Sequence, residues 1–241
     1  ATRQNVRYTA PYPAIKASTD MAVIERGKHI VFSIAHCADC HSTANADSLI
    51  KLGQDVPLSG GKLFALPMAK IYTKNITSDS ETGIGKYTDA EIARALRYGV
   101  HPDGTVMFEF MPFHNVSDED MTAIISYLRT QKPVSNKVPQ HSLNAAGKMI
   151  KAFMINPVGP SETVPKKVQP DTTASYGRYL VKNLGNCSGC HSKHDMKGGI
   201  VGEEFTGGAP MKKAENLPAY TPPNLTTDSS SRIFNVHKIC L

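Results

Sequence analysis

Cys37-Ala38-Asp39-Cys40-His41 and Cys187-Ser188-Gly189-Cys190-His191 are two copies of one pattern, a pair of cysteines three positions apart with a histidine directly after. Residues at i and i+3 share one face of a helical turn, so two thiols spaced this way can each add across one vinyl group of a haem. The adjacent histidine then falls beneath the ring, where an imidazole nitrogen can bind the iron. This is the attachment signature of c-type haem. It predicts two covalently bound haem c groups, one on Cys37 and Cys40, the other on Cys187 and Cys190, with His41 and His191 as iron ligands. Zinc could recruit the same four thiols, but paired Cys-x-x-Cys knuckles normally sit about 15–20 residues apart. Here most of the chain separates them. A thioredoxin-like pair needs a preceding strand, and neither site follows a strand-like run. Disulfides within each pair would leave the repeated histidine without a task.

The repetition extends outward from the cysteines. Gly27 pairs with Gly177 (177 − 27 = 150), as Cys37 does with Cys187. Asn75-Ile76-Thr77 pairs with Asn224-Leu225-Thr226 (224 − 75 = 149), and Asp79 with Asp228. One module has been used twice. Gly60-Gly61 and Tyr72 recur as Gly207-Gly208 and Tyr220 at nearly the same distance from each attachment site. Gly60, Gly61, Tyr72 and Asn75 are therefore expected in the first haem pocket, touching haem edges or propionates. Gly207, Gly208, Tyr220 and Asn224 are expected in the second. Glycine lets backbone approach a flat ligand closely.

The first module is completed by two capped helices. Thr88-Asp89-Ala90-Glu91 is a capping box ahead of Ile92, Ala95 and Leu96, with Gly99 placed to end the helix. Ser117-Asp118-Glu119-Asp120 caps a second helix whose apolar face is Met121, Ile124, Ile125 and Leu128. Between them lies Phe108-Glu109-Phe110-Met111-Pro112-Phe113. Shifted by 150, this segment falls beyond Leu241, so no counterpart of it or of the closing helix is expected in the second module. The domain organisation read this way is an extended arm over 1–17, a first domain over 18–133, a proline-rich linker with a short helix over 134–173, and a truncated second domain over 174–241.

A methionine thioether is a common sixth ligand of low-spin c-type haem. Met121 fits the helix stripe and is assigned to packing. Met111 precedes Pro112 in an irregular segment, where a thioether can point away from helix packing, and is preferred to Met107. His101 and His114 are read as surface histidines. In the second module Met196, Met211, His237 and Cys240 are outside candidates only.

Composition agrees with a cofactor-filled core. The 241 residues are 40% hydrophobic and 7% aromatic, with no tryptophan, thin for two independent cores. Two macrocycles would supply the missing apolar mass, and the chain without them is expected to fold poorly. The formal charge is +6, but the basic residues are scattered. Lys166-Lys167 and Lys212-Lys213 are the densest runs, so nucleic acid is not an expected partner. A basic surface suits steering of an acidic redox partner. No segment approaches the roughly 18 apolar residues of a membrane span. Cysteine-linked haem belongs to oxidising, exported compartments, and a removed export signal or N-terminal anchor fits a chain that starts at Ala1.

The residues quoted above also resemble a known family. Gly27 ahead of Cys37-x-x-Cys40-His41, Gly60-Gly61, Asn75-Ile76-Thr77, Thr82-Gly83-Ile84-Gly85, Met111-Pro112-Phe113, and Ser117-Asp118-Glu119-Asp120 ahead of Tyr127-Leu128-Arg129 are similar to the multihaem cytochromes c that serve as cytochrome subunits of alcohol and gluconate dehydrogenases. The resemblance covers residues 10–133 and again 174–228. It implies an all-α fold of two tandem class I cytochrome c domains. It implies Met111 as distal ligand and Gly27 packed under Tyr127 where the first and last helices cross. It further implies a periplasmic location, often with attachment to the inner membrane through an N-terminal segment. The partners it implies are a dehydrogenase as donor and a quinone-linked or oxidase acceptor.

Three functions compete. An electron carrier or electron-transfer subunit needs no substrate pocket, and the sequence shows none. A two-haem redox enzyme of the peroxidase or thiosulfate dehydrogenase type needs an open haem, which the second module would allow. A structural zinc module is the third. The reading that covers most residues is the carrier, a protein that is not itself an enzyme.

Overall fold

Asp20 starts the first helix. Its carboxylate accepts the N–H of Ala22 ahead of α1 (Met21–His29). The helix runs on through a π-helical turn, Ile30–Ile34, and the chain then breaks at His36, whose φ of 50° is left-handed. From that break departs the attachment turn α2 (Cys37–His41). A π-turn widens the helix by one residue and re-aims the chain beyond it.

The computed structural model describes residues 5–43, 45–195, 199–210, 219–229 and 231. They fall into two units, 1–172 and 173–241. Among the described residues no helix is long and apolar enough to cross a membrane.

In the first unit, α3 (Ala46–Lys51) comes after the attachment turn, capped by Asn45. The sequence reads there as polar loop because no residue of this helix is buried, so no apolar period exists to be seen. Strands β1 (Leu63–Leu66) and β2 (Ala69–Tyr72) pair antiparallel, Leu63 opposite Tyr72, and β3 (Ser142–Leu143) joins β2. The chain is thus mainly helical with a small three-stranded sheet added to the expected helices. Each strand is too short to show alternation, and the third arrives from far along the sequence.

Helices α4 (Asp89–Tyr98) and α5 (Asp118–Thr130) begin as their sequences require. Thr88 and Glu91 complete a reciprocal capping box, and the Ser117 hydroxyl accepts the N–H of Asp120. Gly99, at φ 61°, ends α4. Met121, Ile124, Ile125 and Leu128 are buried along α5, and Val31, Leu58, Val100 and Val116 are buried core residues as well.

The crossing of α1 and α5 centres on Gly27. A Cβ there would stand 1.9 Å from the Ala123 carbonyl oxygen and 2.9 Å from Cβ of Tyr127. The Phe32 ring meets Tyr127 edge-on at 5.6 Å. The expected packing of Gly27 under Tyr127 is what the structure shows.

Past α5 runs the proline-rich stretch. The carbonyls of Pro165 and Lys166 accept the first N–H groups of α5, from Asp118 and Glu119. Helix α6 (Ala145–Phe153), capped by Asn144, sits on the β1–β2 turn, where a Cβ on Gly147 would come 2.2 Å from the Met68 carbonyl oxygen.

The second unit repeats the start of the first. Thr173 caps α7 (Ala174–Tyr179), a π-turn spans Leu180–Leu184, Asn186 breaks the chain at φ 45°, and α8 (Cys187–His191) is the second attachment turn. Met196, Met211, His237 and Cys240 lie outside the described residues.

Candidate functional site

In both attachment turns a short helix places the two cysteines and the histidine on one side. The backbone bonds match one for one. Asp39 N–H donates to His36 O at 3.1 Å and Gly189 N–H to Asn186 O at 2.9 Å. Ser42 N–H donates to Ala38 O, and Ser192 N–H to Ser188 O, both at 3.0 Å.

The histidines are oriented by the segment beyond the paired glycines. His41 Nδ1 donates to the carbonyl oxygen of Lys74 at 2.7 Å, and His191 Nδ1 donates to that of Pro223 at 2.8 Å. Burial lowers the pKa of His41, against the opposing effect of the Lys74 carbonyl, and so favours the neutral ring. A carbonyl can only accept, so the proton sits on Nδ1 and the lone pair on Nε2. Neither Nε2 has a hydrogen-bond partner among the described residues. A neutral imidazole fixed at Nδ1 with a free Nε2 is what an iron ligand requires.

The thiols complete the fit. Cys37, Cys40, Cys187 and Cys190 form no disulfide. Burial, with Cys40 close by, pushes the Cys37 thiol up to about 12, and burial also raises Cys40 and Cys187. Burial thus favours the neutral thiol at Cys37, Cys40 and Cys187, the form that adds across a vinyl group. Among the described residues no three or more His, Cys, Asp and Glu side chains converge on a metal-sized site. Both turns therefore present the donor set of covalent haem attachment.

The paired glycines close the loop behind each histidine. Gly60 N–H donates to His41 O at 2.7 Å, and Gly207 N–H to His191 O at 2.9 Å. Gly61 N–H then bonds Thr73 O, and Gly208 N–H bonds Pro222 O. Side chains are excluded here. A Cβ on Gly60 (φ +69°) would stand 2.4 Å from the carbonyl carbon of Lys74, and one on Gly208 1.9 Å from the carbonyl oxygen of Cys190. In the second unit Gly207, Gly208, Pro222, Pro223 and Asn224 line a cleft of about 380 Å³.

The asparagines serve the same segments. Asn75 is buried, its Oδ1 accepting from the N–H and hydroxyl of Thr77, its Nδ2 donating to Thr82 and to the carbonyl of Val134. Asn224 Oδ1 accepts from Thr226 N–H and hydroxyl in the same way. Each asparagine shapes the turn that presents the carbonyl just before it to the histidine. By the same bonding pattern Tyr72 corresponds to Thr221, and Tyr220 stands one residue earlier and exposed. Tyr72 is in β2 and donates its N–H to His141 Nδ1 at 3.2 Å.

Met111 is half-buried in an irregular segment between α4 and α5. Met121 is fully buried in helix packing, as expected. His114 is not at the surface. Its side chain is 8% exposed, with Nδ1 2.8 Å from Arg97 O and Nε2 2.8 Å from Glu109 Oε1. Its neighbours in sequence give no helical or alternating pattern that would have marked it as buried.

The second unit differs at one face. Gly177 corresponds to Gly27, yet among the described residues a Cβ there meets nothing within 4 Å. Val181 is 38% exposed, whereas its counterpart Val31 is fully buried.

Residues 24–132 match the family model of cytochrome c. The chain is 33% identical to the gluconate 2-dehydrogenase cytochrome c subunit of Pantoea cypripedii over 73% of its length and 39% of that protein. It is 33% identical to the cytochrome c subunit of the quinone alcohol dehydrogenase of Gluconobacter oxydans, over 72% of its length and 36% of that protein. A diheme cytochrome c-type protein of Cereibacter sphaeroides is 28% identical over 83% of this chain and 68% of its own length. The chain thus spans well under half the length of the two dehydrogenase subunits.

Proposed function

We propose, on the premise that residues 24–132 are a cytochrome c domain, that this chain is a two-haem c-type electron carrier or electron-transfer subunit. It relays single electrons from a dehydrogenase towards the respiratory chain. The observation that carries the reading is the duplicated proximal geometry, His41 on the Lys74 carbonyl and His191 on the Pro223 carbonyl, each beside a Cys-x-x-Cys pair. Haem, when bound, supplies one-electron cycling of iron. The chain's own residues tether it through Cys37, Cys40, Cys187 and Cys190, orient His41 and His191, and offer Met111 as sixth ligand in the first unit.

The relatives named for gluconate and alcohol dehydrogenases support a dehydrogenase as donor. The acceptor is an oxidase or a quinone-linked protein. The location in this reading is the periplasm.

A second reading is a two-haem redox enzyme of the peroxidase or thiosulfate dehydrogenase type, working at an open second haem. That the face at Gly177 is uncovered among the described residues supports it.

One set of measurements separates them. The full chain is produced with haem-maturation machinery, and its intact mass is taken. Two added haems, two one-electron waves in a redox titration, and reduction by a gluconate- or alcohol-oxidising dehydrogenase are expected. Colourless protein, or a mass with fewer than two haems, overturns the two-haem reading. Rapid peroxide turnover or thiosulfate oxidation, without exchange with a dehydrogenase, moves the assignment to the enzyme.

A further inference from the structure

Glu109 and His114 bracket Met111 in sequence, and their side chains join. Nε2 of His114 lies 2.8 Å from Oε1 of Glu109. Nδ1 of the same ring lies 2.8 Å from the carbonyl oxygen of Arg97, in the last turn of α4. The Arg97 guanidinium donates in turn to Val116 O and to the Asp118 carboxylate, both at 2.6 Å. The segment around Met111 is therefore closed on itself across 109–114 and fastened to the end of α4. Arg97 then ties that end to the start of α5.

The backbone of the segment forms only tight turns, Phe110 N–H to Phe108 O and Phe113 N–H to Met111 O. Such turns leave the path of an irregular loop open. His114 spends both ring nitrogens, one on a carbonyl oxygen that can only accept and one on the Glu109 carboxyl group. A hydrogen bond in which one partner is ionised is about twice as strong as a neutral one. Burial alone would lower the pKa of His114, and Glu109 together with the Arg97 carbonyl more than reverses that.

We propose that His114 is a positioning residue which, together with Glu109, holds the Met111 loop closed on the distal side of the first haem. This rests on Met111 being the sixth ligand. A thioether is a weak donor, so its hold on iron depends on how firmly the loop presents it. Partners that orient a ligand typically matter about 10–100-fold in ligand affinity.

The test uses full-length ferric holoprotein titrated with imidazole, which competes with the thioether for iron. The readout is the far-red methionine–iron band, which reports the methionine-ligated haem alone. His114→Ala is expected to bind imidazole about 10–100-fold tighter than wild type. Glu109→Gln should bind it several-fold tighter, and both should show a lowered reduction potential. An unchanged midpoint and potential in His114→Ala overturns the proposal and leaves the Met111 assignment standing. If His114→Ala fails to take up haem, Glu109→Gln decides, since it keeps the ring's anchor on Arg97 O; a wild-type midpoint there also overturns it. A wild type without the band, or a Met111→Ala variant that retains it, removes the axial assignment and this proposal with it.

Discussion

A Cβ placed on Gly27 would lie 1.9 Å from the carbonyl oxygen of Ala123, so α1 and α5 touch backbone to backbone. Contact that close admits no side chain, and the helices must separate to accept one. Gly27→Ala is expected to destabilise the first unit by about 3 kcal/mol. The same change at Gly177 meets nothing within 4 Å among the described residues and removes a glycine from a helix, so it should stabilise by about 0.5–1 kcal/mol. Denaturant titrations followed by circular dichroism and by the haem absorption would check the opposite signs.

The glycines behind the histidines give a second contrast. Gly60→Ala strains a left-handed residue and pushes on the Lys74 carbonyl that orients His41. Gly208→Ala pushes on the Cys190 carbonyl instead. Strain at such positions costs about 1–3 kcal/mol. Each variant should lose haem incorporation at its own site only, giving a one-haem species in the intact mass. Full two-haem loading in both would show that the backbone can move aside.

Asp89 links the chain start to α4 and α5. Its carboxylate accepts the Ala17 N–H and the Arg129 Nε–H, each at 2.8 Å. Burial works to raise its pKa, but these bonds more than offset that, and the folded-state pKa lies below the unfolded one. Linkage sets the sign. The ionised group contributes stability above its unfolded pKa, and the contribution is lost as pH falls through the acid range below about 4. Asp89→Asn should cost on the order of 1 kcal/mol at pH 7. The gap to wild type should narrow as pH falls below about 4, as read from unfolding curves at neutral and acid pH.

Asp120 is fully buried, 2.6 Å from the Nε of Arg26, across the α1–α5 interface. Arg26→Met removes the cation from a carboxylate with no exposure, at a cost of about 3 kcal/mol. The double variant Arg26→Met with Asp120→Leu should recover much of that loss, because a well-packed apolar pair avoids desolvating charge. A double-mutant cycle in denaturant measures the coupling. Additive losses would show that the pair contributes little beyond its separate parts.

How much could be read beforehand depends on where each signal is written. The capping box at Thr88 and Glu91, the Ser117 cap and the Gly99 stop are local, and each formed where the residue types place it. Gly27 under Tyr127 was legible through resemblance. The three-stranded sheet was not, because its strands are short and Lys70 meets Ser142 across a large gap in sequence. His114 read as a surface histidine and is buried, because its partners are a backbone carbonyl of α4 and a carboxylate five residues back.

By itself the sequence determined the chemistry: two thiols and an imidazole at one spacing, twice, which any helical turn gathers on one face. Only the tertiary structure decided how each imidazole is aimed. Its partner is a main-chain carbonyl, on Lys74 in one unit and Pro223 in the other. A carbonyl belongs to every residue type, so no side chain announces it. The contrast between the two glycines is likewise a matter of packing, since Gly27 is crowded by Ala123 and Tyr127 while Gly177 meets nothing within 4 Å among the described residues.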